Sequence, residues 1–289
     1  MPELPEVEIT ARRLNVALRE AEVESALAPG MVALKSVEVP LTELVGRRVE
    51  RVRRIGKMPV VEFSDGRDGA TGELALLVHL MSAGRLQLFD KRASLRDRSS
   101  RVLIRLADGR ELRLREFGTK QRAWARLMPA VGVPDDEMVV ALGPEAWPAP
   151  PLSELARIVD QPRQLHPLLR DQRQIAGIGR SWVDEILWEA RLGPFKKGAD
   201  LEADDVERLH AALAVLGAAL DHYEDVIGDT VTDKLPMPLR VHRREGEPCP
   251  RCGVTLAAVH FAEHSTTYCP AEQTGGRVLK DRRLSRLLK

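Results

Sequence analysis

The stretch LLRDQRQIAGIGRSWVDEILWEA, residues 168–190, decides how the chain divides. Two helical patterns meet there at Gly177 and Gly179, ahead of a segment whose Val183, Ile186, Leu187 and Ala190 share one face at helical spacing. A glycine-bearing turn of this kind exposes backbone N–H groups at a helix N-terminus, where the helix dipole favours an anion. Arg180 adds a cation at the same place. Two readings are open: a helical pair that holds a nucleic-acid phosphate, or an ordinary helical hairpin whose glycines only permit close packing.

Outward from this stretch the periodicity stays helical, over Leu152 to Val159, His166 to Arg170, Arg180 to Leu192 and Leu201 to about His222. Upstream it changes. Between about 32 and 128 short aliphatic and β-branched runs recur (SVEV, RRVERVRRI, PVVEF, LALLVHLM, RLQLF, RVLIRL, ELRLREF), separated by turn signals such as SDGRDG and ADG. That pattern predicts a β-sandwich or barrel, with the runs near 60 and 76 buried on both faces. Residues 6–22 precede it with Val7, Ala11, Leu14, Ala17 and Leu18 on one helical face. The proline- and acid-rich residues 131–151 read as a linker. The expected organisation is α+β: an N-terminal β-sandwich domain with its leading helix (1–130), the linker, a helical domain (152–240), and a small hairpin module with a basic tail (241–289).

Composition narrows the class. The chain has 289 residues, 44% hydrophobic and 30% charged, which is ordinary for a folded protein of two domains. No apolar run reaches a membrane span and no basic-then-apolar leader opens the chain, so a cytoplasmic protein is expected. The net charge of +1 hides an asymmetry. Residues 240–289 hold ten Lys or Arg against five acids, an excess of five that suits nucleic acid.

The chain starts MPELPEVE. Pro2 follows an initiator methionine that is usually removed before a small residue, and its amine would then be secondary and free. An α-amino group has a pKa of roughly 8, against about 10.4 for lysine, so it is a ready nucleophile near neutral pH. Attack on an aldehyde-level carbon gives a positively charged iminium, an electron sink for elimination. Glu3 and Glu6 beside it can relay protons. The same residues also make a plain helix start, with acids at the positive end of the dipole and Pro5 in the first turn.

All three cysteines lie near the C-terminus. Cys249 and Cys252 form a CxxC knuckle in EPCPRCG, and Cys269 follows in TTYCPAEQ. This is most of a zinc ribbon, with Glu272 at the spacing where a second CxxC would be completed. His260 and His264 are alternative donors, and a metal-free hairpin is the bland reading.

Met together, these pieces resemble the formamidopyrimidine-DNA glycosylase and endonuclease VIII family of base-excision repair enzymes. The resemblance rests on MPELPEVE, Lys57 in RRIGKMPVVEF, HLMSAGRL at 79–86, LGPEAW at 142–147, residues 168–190 and GEPCPRCG at 246–253, and so spans nearly the whole chain. It implies that Pro2 attacks C1′ of the damaged nucleotide, that Glu3 donates a proton to open the sugar, and that Glu6 supports the site. Lys57 would contact phosphate and serve as proton donor in β-elimination, where the bland reading is an edge-strand charge. Met81 would fill the gap left by the flipped base. Lys120, Gln121, His166, Gly179 and Arg180 would contact DNA. One structural zinc, bound by Cys249, Cys252, Cys269 and Glu272, and no redox cofactor are implied, in a monomer that binds damaged duplex in the cleft between its domains.

The chain also departs from the family pattern. The usual Arg-Arg-Phe-Gly before Ala-Trp is replaced by Thr119, Lys120, Gln121 and Arg122, so the aromatic wedge opposite the lesion is expected to be missing. Met81 falls one place early, His166 stands for a phosphate-binding lysine, and Arg180 for an asparagine. His264 occupies the place of the hairpin arginine used on phosphates and in δ-elimination, yet neutral histidine lacks arginine's permanent charge and fork of donors. Residues 223–241 lack an aromatic-rich loop over the lesion, which leaves the choice between oxidised purines and pyrimidines open. Two functions follow: a bifunctional glycosylase and abasic-site lyase, or a lesion-binding protein that kept the fold and lost turnover.

Overall fold

A computed structural model describes residues 2–30, 32–36, 38–64, 72–117, 120–229, 235–261 and 264–279. The chain forms two compact units, residues 1–141 with 220–236, and residues 142–219 with 237–289. Their bounds differ from the division expected above, because residues 220–236 leave the helical segment to join the first unit.

In the first unit helix α1 (Leu4–Leu18) leads into eight strands: β1 (Val23–Leu27), β2 (Val49–Ile55), β3 (Met58–Phe63), β4 (Leu74–His79), β5 (Gly84–Phe89), β6 (Ser100–Leu106), β7 (Glu111–Glu116) and β8 (Trp124–Pro129). They make two antiparallel four-stranded sheets, ordered β1-β6-β7-β5 and β2-β3-β4-β8. Alternation does the sorting. In β7, Leu112 and Leu114 enter the core, while Arg113 and Arg115 fall on the other face. The shared core joins them to Val61, Phe63, Leu76, Leu86, Val102 and Ile104, with Val7, Ala11, Leu14 and Leu18 of α1 packed in. This is the expected sandwich, and β3 and β4 are buried on both faces, as the apolar runs that make up most of each strand require; in β3 only Glu62 interrupts the run, half-buried against Arg53. Asn15 fixes α1 to the sheet by accepting from the Val52 N–H at 2.8 Å. The run SVEV makes no ladder among the described residues; a single bridge, Leu34 to Ala125, precedes it, and Pro40 closes the segment.

The expected linker is structured. A 3-10 turn (Ala130–Asp135) and helix α2 (Glu137–Val140) belong to the first unit, and Asp136 caps α2 through the Met138 N–H while binding Arg126 at 2.5 Å.

The second unit holds α3 (Leu152–Val159), α4 (Leu165–Leu169), α5 (Arg180–Glu189), α6 (Ala203–Ala212) and the start of α7 (Ala214–Val226), whose end belongs to the first unit. The single long helix expected from 201 to 222 is broken at Leu213. A hairpin of β9 (Ala257–Phe261) and β10 (His264–Tyr268) follows, then the short helix α8 (Pro270–Thr274). Trp188, Val241, Cys249, Leu256 and Cys269 form its own small core.

Candidate active site and nucleic-acid interface

Glu3 caps α1. Its side chain accepts from the Glu6 N–H while its own N–H donates to Glu6 Oε2 at 2.9 Å, so the two carboxylates close a reciprocal capping box. Pro2 is buried beside them, and Glu3 and Glu6 are 2% and 5% exposed. The second Glu6 oxygen, Oε1, accepts from the Tyr223 hydroxyl at 2.7 Å. Burial, together with the negative charges of Glu6 and Glu3, pushes the Tyr223 phenol above its ordinary value, so it stays a donor. Arg13 ties this part of α7 to α1, donating to the carbonyls of Glu224, Ile227 and Gly228 and pairing with the Glu224 carboxylate at 2.7 Å. The sequence reading misses Tyr223, since nothing local in YEDV marks a contact with residue 6. Met1 lies outside the described residues.

Lys57 stands on the two-residue turn Gly56–Lys57 between β2 and β3, where Ile55 pairs with Met58. Its charge reaches His79 at the end of β4: burial first, then the charges of Lys35 and Lys57, hold the His79 imidazole below its ordinary pKa. His79 is therefore neutral at pH 7. It stacks on Trp124 with centroids 5.4 Å apart, and Lys35 lies 4.3 Å over that indole. The Met81 N–H donates to His79 Nδ1 at 3.1 Å, which puts the imidazole proton on Nε2. Met81 is half-buried at the tip of a tight turn with φ +49. Gly84 closes this turn onto the Leu80 carbonyl, where a Cβ would come within 2.4 Å of the oxygen. His79, Met81 and Lys57 thus gather at one end of the second sheet. The motif HLMSAGRL contains His79, and the sequence reading passes over it.

The loop before Trp124 differs from expectation at two residues. Gln121 does not face outward: its amide donates to the carbonyls of Arg98 at 2.7 Å and Glu116 at 3.2 Å, and its oxygen lies 3.4 Å from Arg101. It braces a buried pair, Arg101 and Glu116, whose carboxylate also accepts from the Ala123 N–H at 2.7 Å. Its side chain is spent on scaffolding, while Lys120 is exposed. An aromatic is present after all, at Phe117, 41% exposed with the Arg115 guanidinium 4.6 Å over its ring. It belongs to Arg115-Glu116-Phe117-Gly118, which is similar to Arg-Arg-Phe-Gly but stands four residues further from Ala123-Trp124. Thr119 and Gly118 lie outside the described residues.

In the second unit, Gly179 is the N-cap of α5 and Arg180 its exposed first residue. Gln172 laces the preceding turn: it accepts from the Gly177 N–H at 3.0 Å and donates to the carbonyls of Arg170 and Ile178, both at 2.8 Å. Gly177 has φ +101, which a side chain would resist. His166, expected on a phosphate, is only 3% exposed. Its Nε2 lies 2.9 Å from Thr266 Oγ1 and 3.5 Å from Asp184 Oδ1, and Asp184 Oδ2 is 2.7 Å from His242 Nδ1 and accepts from the Thr267 N–H at 3.0 Å. His166 is a packing residue that ties α4 and α5 to the hairpin. The His264 side chain lies outside the described residues.

The sulfurs of Cys249, Cys252 and Cys269 lie within 4.8 Å of one another, with Cys252 and Cys269 at 3.5 Å. Zn–S bonds of about 2.3 Å put tetrahedral sulfurs about 3.8 Å apart, so the cluster fits zinc. Burial opposes the Cys249 thiolate, but N–H groups of Arg251, Cys252 and the Trp188 indole (3.3 Å) outweigh it and bring the thiol down to about 7. Burial pushes Cys269 up to about 12. Glu272 is not brought to the sulfurs; its Oε2 takes Arg251 at 3.1 Å and Arg191 at 3.2 Å.

Comparison with known proteins places these parts in one class. The formamidopyrimidine-DNA glycosylase N-terminal domain matches residues 1–120, the H2TH domain of that enzyme residues 142–230, and the zinc finger found in FPG and IleRS residues 246–271. Sandwich, helical pair and cysteine hairpin in that order define a helix-two-turns-helix DNA glycosylase. A formamidopyrimidine-DNA glycosylase of Roseiflexus sp. is 35% identical over 285 residues, covering 93% of this chain and 98% of its own. A formamidopyrimidine-DNA glycosylase-like protein of Mycobacterium tuberculosis is 39% identical over 52% of this chain and 95% of its own. The crystal structure of the Lactococcus lactis enzyme with DNA containing N7-benzyl-Fapy-dG superposes with a TM-score of 0.82 at 25% identity, over 94% of this chain and all of that one. The chain belongs to the formamidopyrimidine-DNA glycosylase family, whose members act on damaged DNA in base-excision repair.

Proposed function

We propose that the chain is a bifunctional glycosylase and abasic-site lyase acting on damaged duplex DNA through the Pro2 nitrogen, freed by removal of Met1. The observation that carries this reading is the clamped carboxylate pair next to Pro2: Glu3 and Glu6 are buried, bonded to each other and anchored by Tyr223. The Pro2 amine attacks C1′ of the damaged nucleotide and the base departs, while Glu3 protonates the opening sugar. The resulting iminium acidifies C2′, so the 3′ phosphate leaves by β-elimination and water then releases the enzyme. Lys57 and the neutral His79, with its Nε2–H, supply donors on the phosphate side. Met81 and Phe117 are the apolar groups available to replace a flipped base in the stack. Arg180 and Lys120 hold the backbone. Solved relatives bound to an abasic site and to carbocyclic 8-oxo-G DNA support the partner class.

Borohydride trapping on DNA with an abasic site tests this. A covalent adduct is expected with the processed chain and none when an extra residue precedes Pro2. Equal trapping by both forms, or by neither, defeats the mechanism, and the second outcome with intact lesion binding favours a binding protein without turnover.

A further inference from the structure

We propose that zinc in the C-terminal hairpin is held by three protein thiolates only, from Cys249, Cys252 and Cys269, with its fourth position open to a small donor from solution. The ion pair between Arg251 and Glu272 takes the structural place of the fourth bond.

Three observations carry this. Glu272 has the residue spacing of a fourth ligand but sits on α8, where its carboxylate meets Arg251 Nη1 at 3.1 Å and Arg191 Nε at 3.2 Å. Arg251 belongs to the first knuckle, so this pair already links the two halves of the site that a fourth thiolate would link through the metal. Its guanidinium is fixed independently, 4.0 Å over the Trp188 ring, bonded to the Trp188 carbonyl at 3.1 Å and to Glu189 at 3.1 Å. Moving Glu272 to the metal would strip both arginines of that partner, a loss in a partly buried network.

The alternative donor His260 is engaged elsewhere, with Nε2 2.9 Å from Glu245. Among the described residues no further histidine or acid joins the three sulfurs. Cys249 and Cys269 are buried whereas Cys252 is exposed, so the cluster opens to solvent on the Cys252 side. A tetrahedral ion with three protein ligands and an accessible fourth position accepts water or a nitrogen donor. The ligand class is therefore a small monodentate donor such as imidazole.

The test uses the full chain with cobalt(II) in place of zinc, titrated with imidazole and followed by its visible spectrum. A saturable change is expected in the parent protein and in Glu272→Gln, which keeps an acceptor for the arginines, and in His264→Ala, which removes the remaining histidine. Metal content should stay at one ion per chain in all three. Their chelator resistance should agree within about threefold, whereas loss of a metal-site partner typically costs roughly 10- to 100-fold. Loss of metal or an altered cobalt spectrum in either variant before imidazole is added overturns the proposal. So does a parent spectrum indifferent to imidazole, or a chain purified without metal; DNA cleavage by the same preparations reports separately on the catalytic reading.

Discussion

Tyr223 donates a 2.7 Å hydrogen bond to Glu6 Oε1, across 217 residues of sequence, and thereby fixes the carboxylate that also receives the Glu3 N–H. Both partners are buried. Removing the hydroxyl in Tyr223→Phe leaves a buried acceptor with one donor fewer, which costs about 1–3 kcal/mol. The phenol's pKa is raised by burial and by the charges of Glu6 and Glu3. A raised folded-state pKa gives a contribution fully present below the unfolded value and lost only as pH climbs through the folded one. The unfolded value is about 10, so the penalty should be constant between about pH 6 and about pH 9. Urea unfolding of parent and variant across that window checks it, and a penalty that fades toward the alkaline end would refute the assignment.

Glu3→Gln separates the two chemical steps. The amide oxygen still accepts from the Glu6 N–H, so the start of α1 is kept, but the carboxyl proton is gone. Excision of an intact lesion should fall by about 10²–10⁴, the usual worth of a general acid, while cleavage of preformed abasic sites should persist in part. Single-turnover rates on the two substrates decide it; parallel losses would mean that Glu3 only builds the cap.

His79 offers a pH-dependent reporter near the proposed phosphate site. Burial and the charges of Lys35 and Lys57 depress its pKa, so its folded form favours neutral imidazole. The associated stability is present above the unfolded value of about 6.5 and is lost as pH falls through the folded pKa. Lys57→Gln removes one of the depressing charges. Proton NMR titration should show the His79 pKa rising in the variant, and an unchanged or lower value would separate the two residues.

Phe117→Ala tests the exposed ring. Stacking of a base on an aromatic side chain is worth about 1–3 kcal/mol, so duplex affinity should drop by that amount at low salt. Arg115 keeps its second ring, Phe89, at 5.3 Å, and the sandwich should keep its stability because Phe117 is 41% exposed and outside the core. Equal affinity, measured by fluorescence anisotropy, would remove Phe117 from the interface.

Local pattern carried much of the architecture. Val7, Ala11, Leu14 and Leu18 announce α1 by spacing alone, and all four lie in the sandwich core. Leu112 and Leu114 announce a strand by alternation in the same way, but not that Glu111 and Arg113 on its other face are buried too. What spacing cannot tell is where a polar side chain turns once the chain is folded. Gln121 was expected on DNA and is consumed by two carbonyls; Glu272 was expected on zinc and is captured by arginines from two other segments. Phe117 is hidden from local pattern for a different reason: residues 119–122 separate Gly118 from Ala123-Trp124. Tyr223 needs the tertiary fold, since its partner Glu6 lies 217 residues away in sequence.

The last prediction sets Arg180 against His166, two residues that the resemblance assigns alike to phosphate. Arg180 is exposed at the first position of α5, whereas His166 is 3% exposed, with Thr266 at 2.9 Å. A phosphate contact positions DNA without reading sequence, so Arg180→Ala should weaken all duplexes alike and reduce the slope of log affinity against log salt by about one unit. His166→Ala should leave that slope unchanged. It should instead lower stability by about 1–3 kcal/mol, because Thr266 and the Asp184 Oδ1 lose the imidazole that faces them. Salt-dependent anisotropy and urea unfolding on both variants give two numbers for each residue. A reduced salt slope in His166→Ala at undiminished stability would return that histidine to the DNA, and unchanged affinity in Arg180→Ala would take the arginine away from it.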